Sequence, residues 1–273
     1  MALTVNYNSA SGNAMNNVNR TQRGLAKSFA RISSGLRITS AADDAAGLAV
    51  SEKMDADTRS LRQAHRNTND GISVIQTAEG ATEEVSDLLK RMRELAVQSR
   101  SETLDGTSRG YADEEYKSLL SEIDRISDVT EFNGVALGNA DKTINVQVGI
   151  GASSTEDMIG ISLEDFDSTA LALQADISDT TNAGTALGKL DTALDSVNSL
   201  RSGFGAVQNR LESALNNLET YTENLSSSAS RIRDADFAFE TAELSKHQIM
   251  QQAGISILGQ ANGLNSGALR LIG

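Results

Sequence analysis

Residues 190–239 read LDTALDSVNSLRSGFGAVQNRLESALNNLETYTENLSSSASRIRDADFAF, and an apolar residue recurs here at every seventh position. The repeat consists of eight residues: Leu190, Val197, Phe204, Leu211, Leu218, Leu225, Ile232 and Phe239. The positions three residues further on are also apolar, except at Ser228. Two such ranks are typical of a long helix that buries one seam against other helices. We therefore predict a helical rod here, whose partner helices must come from the rest of the chain.

The composition limits what kind of core and which chemistry the chain can have. Among 273 residues there is no proline, cysteine or tryptophan, and aromatic residues make up 4%. Without proline, nothing stops a helix by ring geometry. The core must therefore be aliphatic, and disulfides, thiolate nucleophiles and cysteine-bound metals are excluded.

Charge is unevenly distributed along the chain. The net charge is −13, yet residues 1–42 carry five basic groups and no acidic group. An acidic middle argues against nucleic acid as a partner. The basic start could meet a membrane or RNA surface, but apolar residues interleave with its charges, which favours a face that packs on another helix. We find no apolar stretch long enough to span a membrane and no cleavable secretory signal.

Helical spacing recurs at both ends of the chain. Residues 1–20 read as weakly helical or disordered. Beyond them, four apolar residues share one helical face: Leu25, Phe29, Ile32 and Leu36. Further helices are predicted over about 45–100 and 113–129, with a turn at 103–110. A last helical pattern, marked by Ile249, Ala253 and Ile257, continues to near Gly263.

The middle of the chain changes period. Apolar residues alternate at Ile144, Val146, Val148 and Ile150 and again at Ile159, Ile161 and Leu163, which predicts a β-hairpin near 143–164. The expected fold class is mainly α: an elongated antiparallel bundle of long helices, or coiled coil, with a small β-hairpin region. We expect residues 1–42 and 240–273 to form a terminal helical pair and residues 43–239 to form the rod.

No set of residues indicates catalysis. His65 and His247 are far apart in sequence and lie in no metal-ligand spacing. Asp43 and Asp44 precede an alanine-rich helix start, where a helix cap is the expected role. We therefore predict no enzyme, no metal and no cofactor.

Several stretches resemble bacterial flagellins. Residues 25–54 (LAKSFARISSGLRITSAADDAAGLAVSEKM), 71–80 (GISVIQTAEG), 89–99 (LKRMRELAVQS) and 132–134 (FNG) are similar to the N-terminal signature. Residues 230–236 (SRIRDAD) and 248–262 (QIMQQAGISILGQAN) are similar to the C-terminal one. The order of the motifs also agrees, and the resemblance covers nearly the whole chain.

The resemblance implies a minimal filament subunit with two core domains and no inserted outer domains. It implies export in the unfolded state, an extracellular flagellar location and ends that order on assembly. The implied partners are other copies of the chain, the export apparatus and chaperone, and the filament cap and hook-junction proteins. The alternatives are a hook–filament junction protein of the same superfamily and, from another class, a secreted adhesin or binding rod.

The resemblance also implies an innate immune partner, the Toll-like flagellin receptor of animals. By motif, the receptor residues match Arg91, Leu95 and Glu115. Arg91 and Leu95 are i, i+4 neighbours on one helical face, an arginine fork beside an apolar anchor. We expect this face to serve first as a contact between subunits.

Overall fold

The computed structural model describes residues 8–139, 141–173 and 176–269. Five helices lie in this part of the chain: α1 (Ser9–Ser34), α2 (Ala45–Arg100), α3 (Gly106–Val129), α4 (Thr180–Arg233) and α5 (Phe237–Leu269). Two small antiparallel hairpins accompany them, β1 (Glu131–Phe132) with β2 (Val135–Ala136), and β3 (Lys142–Gln147) with β4 (Met158–Leu163). The predicted fold class, long helices with a small β region, is confirmed.

The chain folds into two units. The terminal unit comprises the described residues up to 56 together with those from 224 onward, and the central unit comprises residues 57–223. Both boundaries therefore fall inside the long helices α2 and α4. The sequence alone predicts boundaries after residue 42 and before residue 240, close to the loops.

The central unit is built on an antiparallel pair of helices. Residues of α2 and α4 meet in opposite order along the two helices: Arg93 pairs with Asp191 at 2.7 Å, and His65 with Glu219 at 3.3 Å. The helix α3 covers the pair, and its Tyr116 and Ile123 are fully buried. Five of the predicted seam residues lie in this core, all less than a tenth exposed: Leu190, Val197, Phe204, Leu211 and Leu218.

The larger hairpin lies where the alternation predicts one, and in its register Ile144 pairs with Ile161 and Val146 with Ile159. Its strands are shorter than the alternation suggested, because β3 ends at Gln147 and leaves Val148 and Ile150 in the loop. A glycine in α2 makes room for this hairpin. A Cβ atom on Gly71 would lie 2.9 Å from Cγ2 of Val146.

The smaller hairpin was not predicted, although its turn carries a recognisable signal. Asn133 and Gly134 both have positive φ, 50° and 77°. An Asn-Gly pair in this conformation is typical of a two-residue hairpin turn. The strands on either side are only two residues long, too short to show an alternating pattern.

Two helix starts differ from the predictions. The first helix begins at Ser9, within the stretch expected to be weakly helical, because Asn8 caps it and α5 packs along it; residues 1–7 lie outside the described residues. The third helix begins at Gly106, inside the predicted turn, because the Asp105 carboxylate accepts a hydrogen bond from the Ser108 amide.

The predicted rod is interrupted after Arg233. The Arg37 amide donates to the Arg233 carbonyl oxygen at 2.7 Å, and the Ala235 amide donates to Gly35 at 2.9 Å. The Asp236 carboxylate then caps α5 by accepting from the amides of Ala238 and Phe239. Phe239, the eighth residue of the heptad repeat, therefore belongs to α5 and not to the rod.

Candidate assembly surface

In the terminal unit, the buried residues of α1 and α5 are small or polar. Ala14, Thr21 and Ser28 are the buried residues of α1, and Ala261 of α5 is buried as well. Glycines bring the two helices close. A Cβ atom on Gly24 would lie 2.6 Å from Cε1 of His247. Small side chains remove little apolar area from water, so this helix pair gains little from the hydrophobic effect.

Ion pairs link separate elements of the terminal unit. The Arg31 guanidinium donates to the Glu240 carboxylate at 2.8 Å, and Glu240 is 4% exposed. Lys27 pairs with Asp43 at 2.6 Å. The hydrogen bond from Lys27, assisted by those from Thr39, lowers the pKa of Asp43 well below its usual value. Three of the five basic groups near the N-terminus are thus engaged, since Arg37 also donates to the Ile232 carbonyl oxygen.

Large apolar side chains of α1 and α5 face the solvent instead of each other. Eight of the described ones are between 48% and 67% exposed: Met15, Phe29, Phe237, Phe239, Ile249, Met250, Ile255 and Ile257. We call these eight the terminal apolar residues. Exposed apolar surface on this scale marks interaction sites in soluble proteins. The terminal unit therefore has an exposed apolar surface that a neighbouring molecule can bury.

The residues predicted to pack the terminal helices fall into two groups. Leu25, Ile32 and Leu36 are half-buried in the terminal unit. The other four are exposed: Phe29, Ile249, Ala253 and Ile257. These four are therefore not buried between α1 and α5 of one chain. A contact of the four with another subunit stays a prediction.

Sequence reasoning missed Met15, Phe237, Met250 and Ile255. A signal for the last three exists in α5, whose apolar residues are spread around the helix and do not form one stripe. A helix that is apolar on several faces is typically buried on several sides. The last two seam residues, Leu225 and Ile232, lie in the terminal unit and are half-buried there.

The second predicted site lies in the central unit, on α2 and α3. Nε and Nη2 of Arg91 donate to Oε1 of Glu115 at 2.9 Å and 2.7 Å, and Nη1 donates to Glu94. The hydrogen bond to Glu115 raises the pKa of the Arg91 guanidinium. Both side chains remain about half exposed, 51% for Arg91 and 45% for Glu115.

Leu95 does not join this pair at the surface. It is 2% exposed and packs in the core of the central unit. The prediction of an apolar anchor beside Arg91 is therefore wrong. Although Arg91 and Leu95 are i, i+4 neighbours, Arg91 is 51% exposed and Leu95 lies on the side of α2 that faces the core.

The polar residues considered for chemistry have structural partners. His65 lies 3.3 Å from Glu219 and His247 lies 3.6 Å from Glu243, each in a separate unit. The Asp44 carboxylate accepts from the Gly47 amide, as expected of a cap for α2. Within the described ranges, no group of three histidine or acidic side chains is placed to hold a metal ion. Over the same ranges, no helix combines the length and apolar character needed to cross a membrane.

A long-helix protein whose terminal helices expose large apolar residues has the features of a self-assembling structural subunit. Comparison with known families specifies the class further. Residues 5–143 match the bacterial flagellin N-terminal helical region, and residues 187–272 match the bacterial flagellin C-terminal helical region.

Curated relatives match along almost the whole chain. The flagellin of Halalkalibacterium halodurans is 45% identical, and the match covers 99% of this chain and 100% of the relative. The flagellin of Bacillus subtilis is 39% identical, with the same coverage. The crystal structure of Bacillus cereus flagellin is 34% identical and matches with a TM-score of 0.51, covering 56% of this chain and 88% of that one.

The chain belongs to the bacterial flagellin family. It is therefore a structural filament subunit, and the relatives to which it is similar are structural proteins and not enzymes.

Proposed function

We propose that copies of this chain polymerise through the terminal apolar residues into an extracellular helical filament used for motility. The observation that carries this proposal is the exposure of those eight large side chains on α1 and α5. A relative that is 36% identical is titled a flagellar filament 33 kDa core protein, from Treponema phagedenis, and the match covers that whole protein. A subunit of this kind makes heterologous contacts that do not close into a ring, so it forms a filament.

Energetics favour burial of this surface between subunits. Burying one Phe, Ile or Met side chain contributes about 1.5–3 kcal/mol. Eight partly exposed side chains therefore supply on the order of 10 kcal/mol before the entropy of association is subtracted. The small side chains buried between α1 and α5 within one chain, such as Ala14 and Ala261, contribute much less. Assembly is thus the larger source of stability for the terminal unit.

The same balance supports export before folding. The chain has no cysteine, so no disulfide closes a loop that must be opened before passage through a narrow channel. Terminal helices that gain most of their stability from neighbours become fully ordered on docking. The partners proposed for this route are the export apparatus and its chaperone, followed by the cap and hook-junction proteins at the filament ends.

Truncation tests which unit carries polymerisation. Deleting residues 1–20 or 255–273 should leave the central unit folded by circular dichroism and should abolish sedimentable filaments. A substitution pair refines the test: Phe239→Ser with Ile249→Ser should block polymerisation, and Val129→Ser, 57% exposed in the central unit, should not. Long filaments from either truncated protein would contradict the proposal. Electron microscopy of the intact protein distinguishes a filament subunit, seen as long tubes, from a junction protein or a monomeric adhesin.

Recognition by the Toll-like flagellin receptor of animals is a second candidate function. It is favoured by the exposed Arg91–Glu115 pair, which joins α2 to α3 at 2.7 Å. Because Leu95 is buried, Leu95→Ala would lower stability by about 2–5 kcal/mol and is unsuitable as a surface test. We expect monomer to activate a receptor reporter cell and Arg91→Ala to weaken both the response and polymerisation. No response to wild type, or an unchanged response to Arg91→Ala, would contradict it.

A further inference from the structure

Two basic residues of α1 take no part in the ion pairs of the terminal unit. Arg20 and Arg23 are exposed, and among the described residues neither has a hydrogen-bond or ion-pair partner. They are three residues apart and therefore lie on one face of the helix. Helix α1 contains no acidic residue that could neutralise them. Two unpaired cations thus lie on the helix that also carries Met15 and Phe29 of the terminal apolar residues.

A cavity of about 330 Å³ in the same unit has the opposite character. It is lined by Asp55 and Asp234 with the single cation Arg233, by serine hydroxyls, and by Leu36 and Ala229. The closest approach of Arg233 to Asp55 is 3.6 Å, from Nη1 to Oδ2, which is longer than a hydrogen bond. Two carboxylates outweigh one guanidinium, so the lining carries a net negative charge.

We propose that the basic face formed by Arg20 and Arg23 docks on this acidic cavity of a second copy of the chain. The inference rests on the proposed polymerisation and specifies one of its contacts. An arginine side chain is small enough to enter a cavity of this volume. Its planar guanidinium pairs with carboxylates in a defined geometry.

The pairing of the basic face with the cavity would give the association a defined register, which the terminal apolar residues alone cannot give. Apolar burial drives association but is not directional, so by itself it leaves several registers of nearly equal energy. Complementary charges fix the register and penalise wrong ones, in which like charges meet. The basic face and the cavity lie in the same unit that carries the terminal apolar residues, so one docking event can bury both.

Charge reversal tests the contact in seeded polymerisation. Arg20→Glu with Arg23→Glu should raise the critical concentration about tenfold or more, because two attractions become repulsions. Lys53→Glu, at an exposed lysine of the same unit that does not line the cavity, is the control and should have little effect. Adding Asp55→Lys to the double variant should restore assembly. Circular dichroism of each monomer checks that the fold is kept, and Asp55→Asn offers a milder change that should weaken assembly a few-fold.

A covalent test does not depend on energetics. Since the chain has no cysteine, Arg23→Cys in one preparation and Asp55→Cys in another provide a single thiol each. Mixed filaments under oxidising conditions should yield disulfide-linked dimers of the two variants, whereas Lys53→Cys mixed with Asp55→Cys should not.

The outcomes separate the contact from the function. Wild type that fails to polymerise would overturn the proposed function itself. Wild type that polymerises, together with reversal variants that assemble like Lys53→Glu, would overturn only the contact. Slowed assembly without rescue by Asp55→Lys and without the expected cross-link would place the basic face elsewhere and overturn the assignment of the cavity.

Discussion

Tyr116 is a buried phenol whose hydroxyl has no hydrogen-bond partner among the described residues. Its side chain is fully buried in the central unit. Burial, together with the negative charges of Asp113 and Asp176, raises the pKa of Tyr116 from 10.0 to about 12. Both facts lead to one testable substitution, Tyr116→Phe.

The expected gain follows from removing an unsatisfied polar atom. Leaving a buried donor unpaired costs about 1–3 kcal/mol, and a hydroxyl-sized space costs a fraction of that. Tyr116→Phe should therefore raise the free energy of unfolding of the central unit by about 1 kcal/mol at pH 8. For a unit of this size, that corresponds to a rise in Tm of about 2–4 °C.

The difference should grow in alkali. A group whose pKa is raised by folding keeps the fold stable below its unfolded pKa and loses that contribution as pH rises through the folded pKa. For Tyr116 this window lies between pH 10 and about 12. Wild type should lose about 1.4 kcal/mol at pH 11 that the phenylalanine variant keeps.

Urea unfolding at pH 8 and pH 11 measures both effects. Tyr111→Phe is the matched control, because Tyr111 lies on the same helix and is 68% exposed. The control should change stability by less than about 0.5 kcal/mol. A loss of 1 kcal/mol or more in Tyr116→Phe at pH 8 would mean that the hydroxyl donates a hydrogen bond, and the reasoning would be refuted.

Three further predictions concern the same two units. Phe204 and Phe239 occupy equivalent heptad positions but are 1% and 61% exposed. Phe204→Ala should lower the free energy of unfolding in urea by about 3–5 kcal/mol, whereas Phe239→Ala should leave it almost unchanged and reduce polymerisation. The pKa of Asp43 is lowered in the folded protein, so its carboxylate stabilises the fold above its unfolded pKa and loses this contribution as pH falls. Asp43→Asn should therefore unfold at a lower temperature than wild type at pH 7, and the difference should shrink below pH 4. Because the net charge is −13, raising salt to 0.1 M, where the Debye length is about 10 Å, should speed seeded polymerisation in turbidity traces, and traces that stay flat or slow down would contradict this.

Periodicity was sufficient to predict much of the central unit. An apolar seam at helical spacing identifies the buried face of α4, and alternation identifies the two strands of the larger hairpin, because both periods follow from backbone geometry. The span predicted for α2, about 45–100, also agrees with the structure. The break after Arg233 was not predicted, because Phe239 lies seven residues after Ile232 and so continues the heptad spacing by coincidence. Arg231 and Arg233 before the break and the Asp236 cap after it are ordinary helix-end signals that a search for caps would have found.

The candidate sites were less predictable, for a physical reason. Apolar spacing shows which residues share a face, but it does not show whether that face meets another helix of the same chain, another molecule or water. Phe204 and Phe239 illustrate this, since they stand at the same heptad position and have opposite exposure. Leu95 shows the converse error, because an apolar residue next to an exposed arginine in a motif points into the core.

The α1–α5 contact explains how the terminal helices can pair within one chain and still expose large apolar residues. Small residues such as Ser28 and the glycines let the two helices approach closely within one chain. Close approach through small residues leaves the large ones, such as Phe29 and Ile249, directed away from the pair. If these large side chains were buried between α1 and α5 of one chain, their burial could not drive association with other subunits. Small residues on one face therefore serve the folding of a single chain, and large residues on the other face serve the association of many chains.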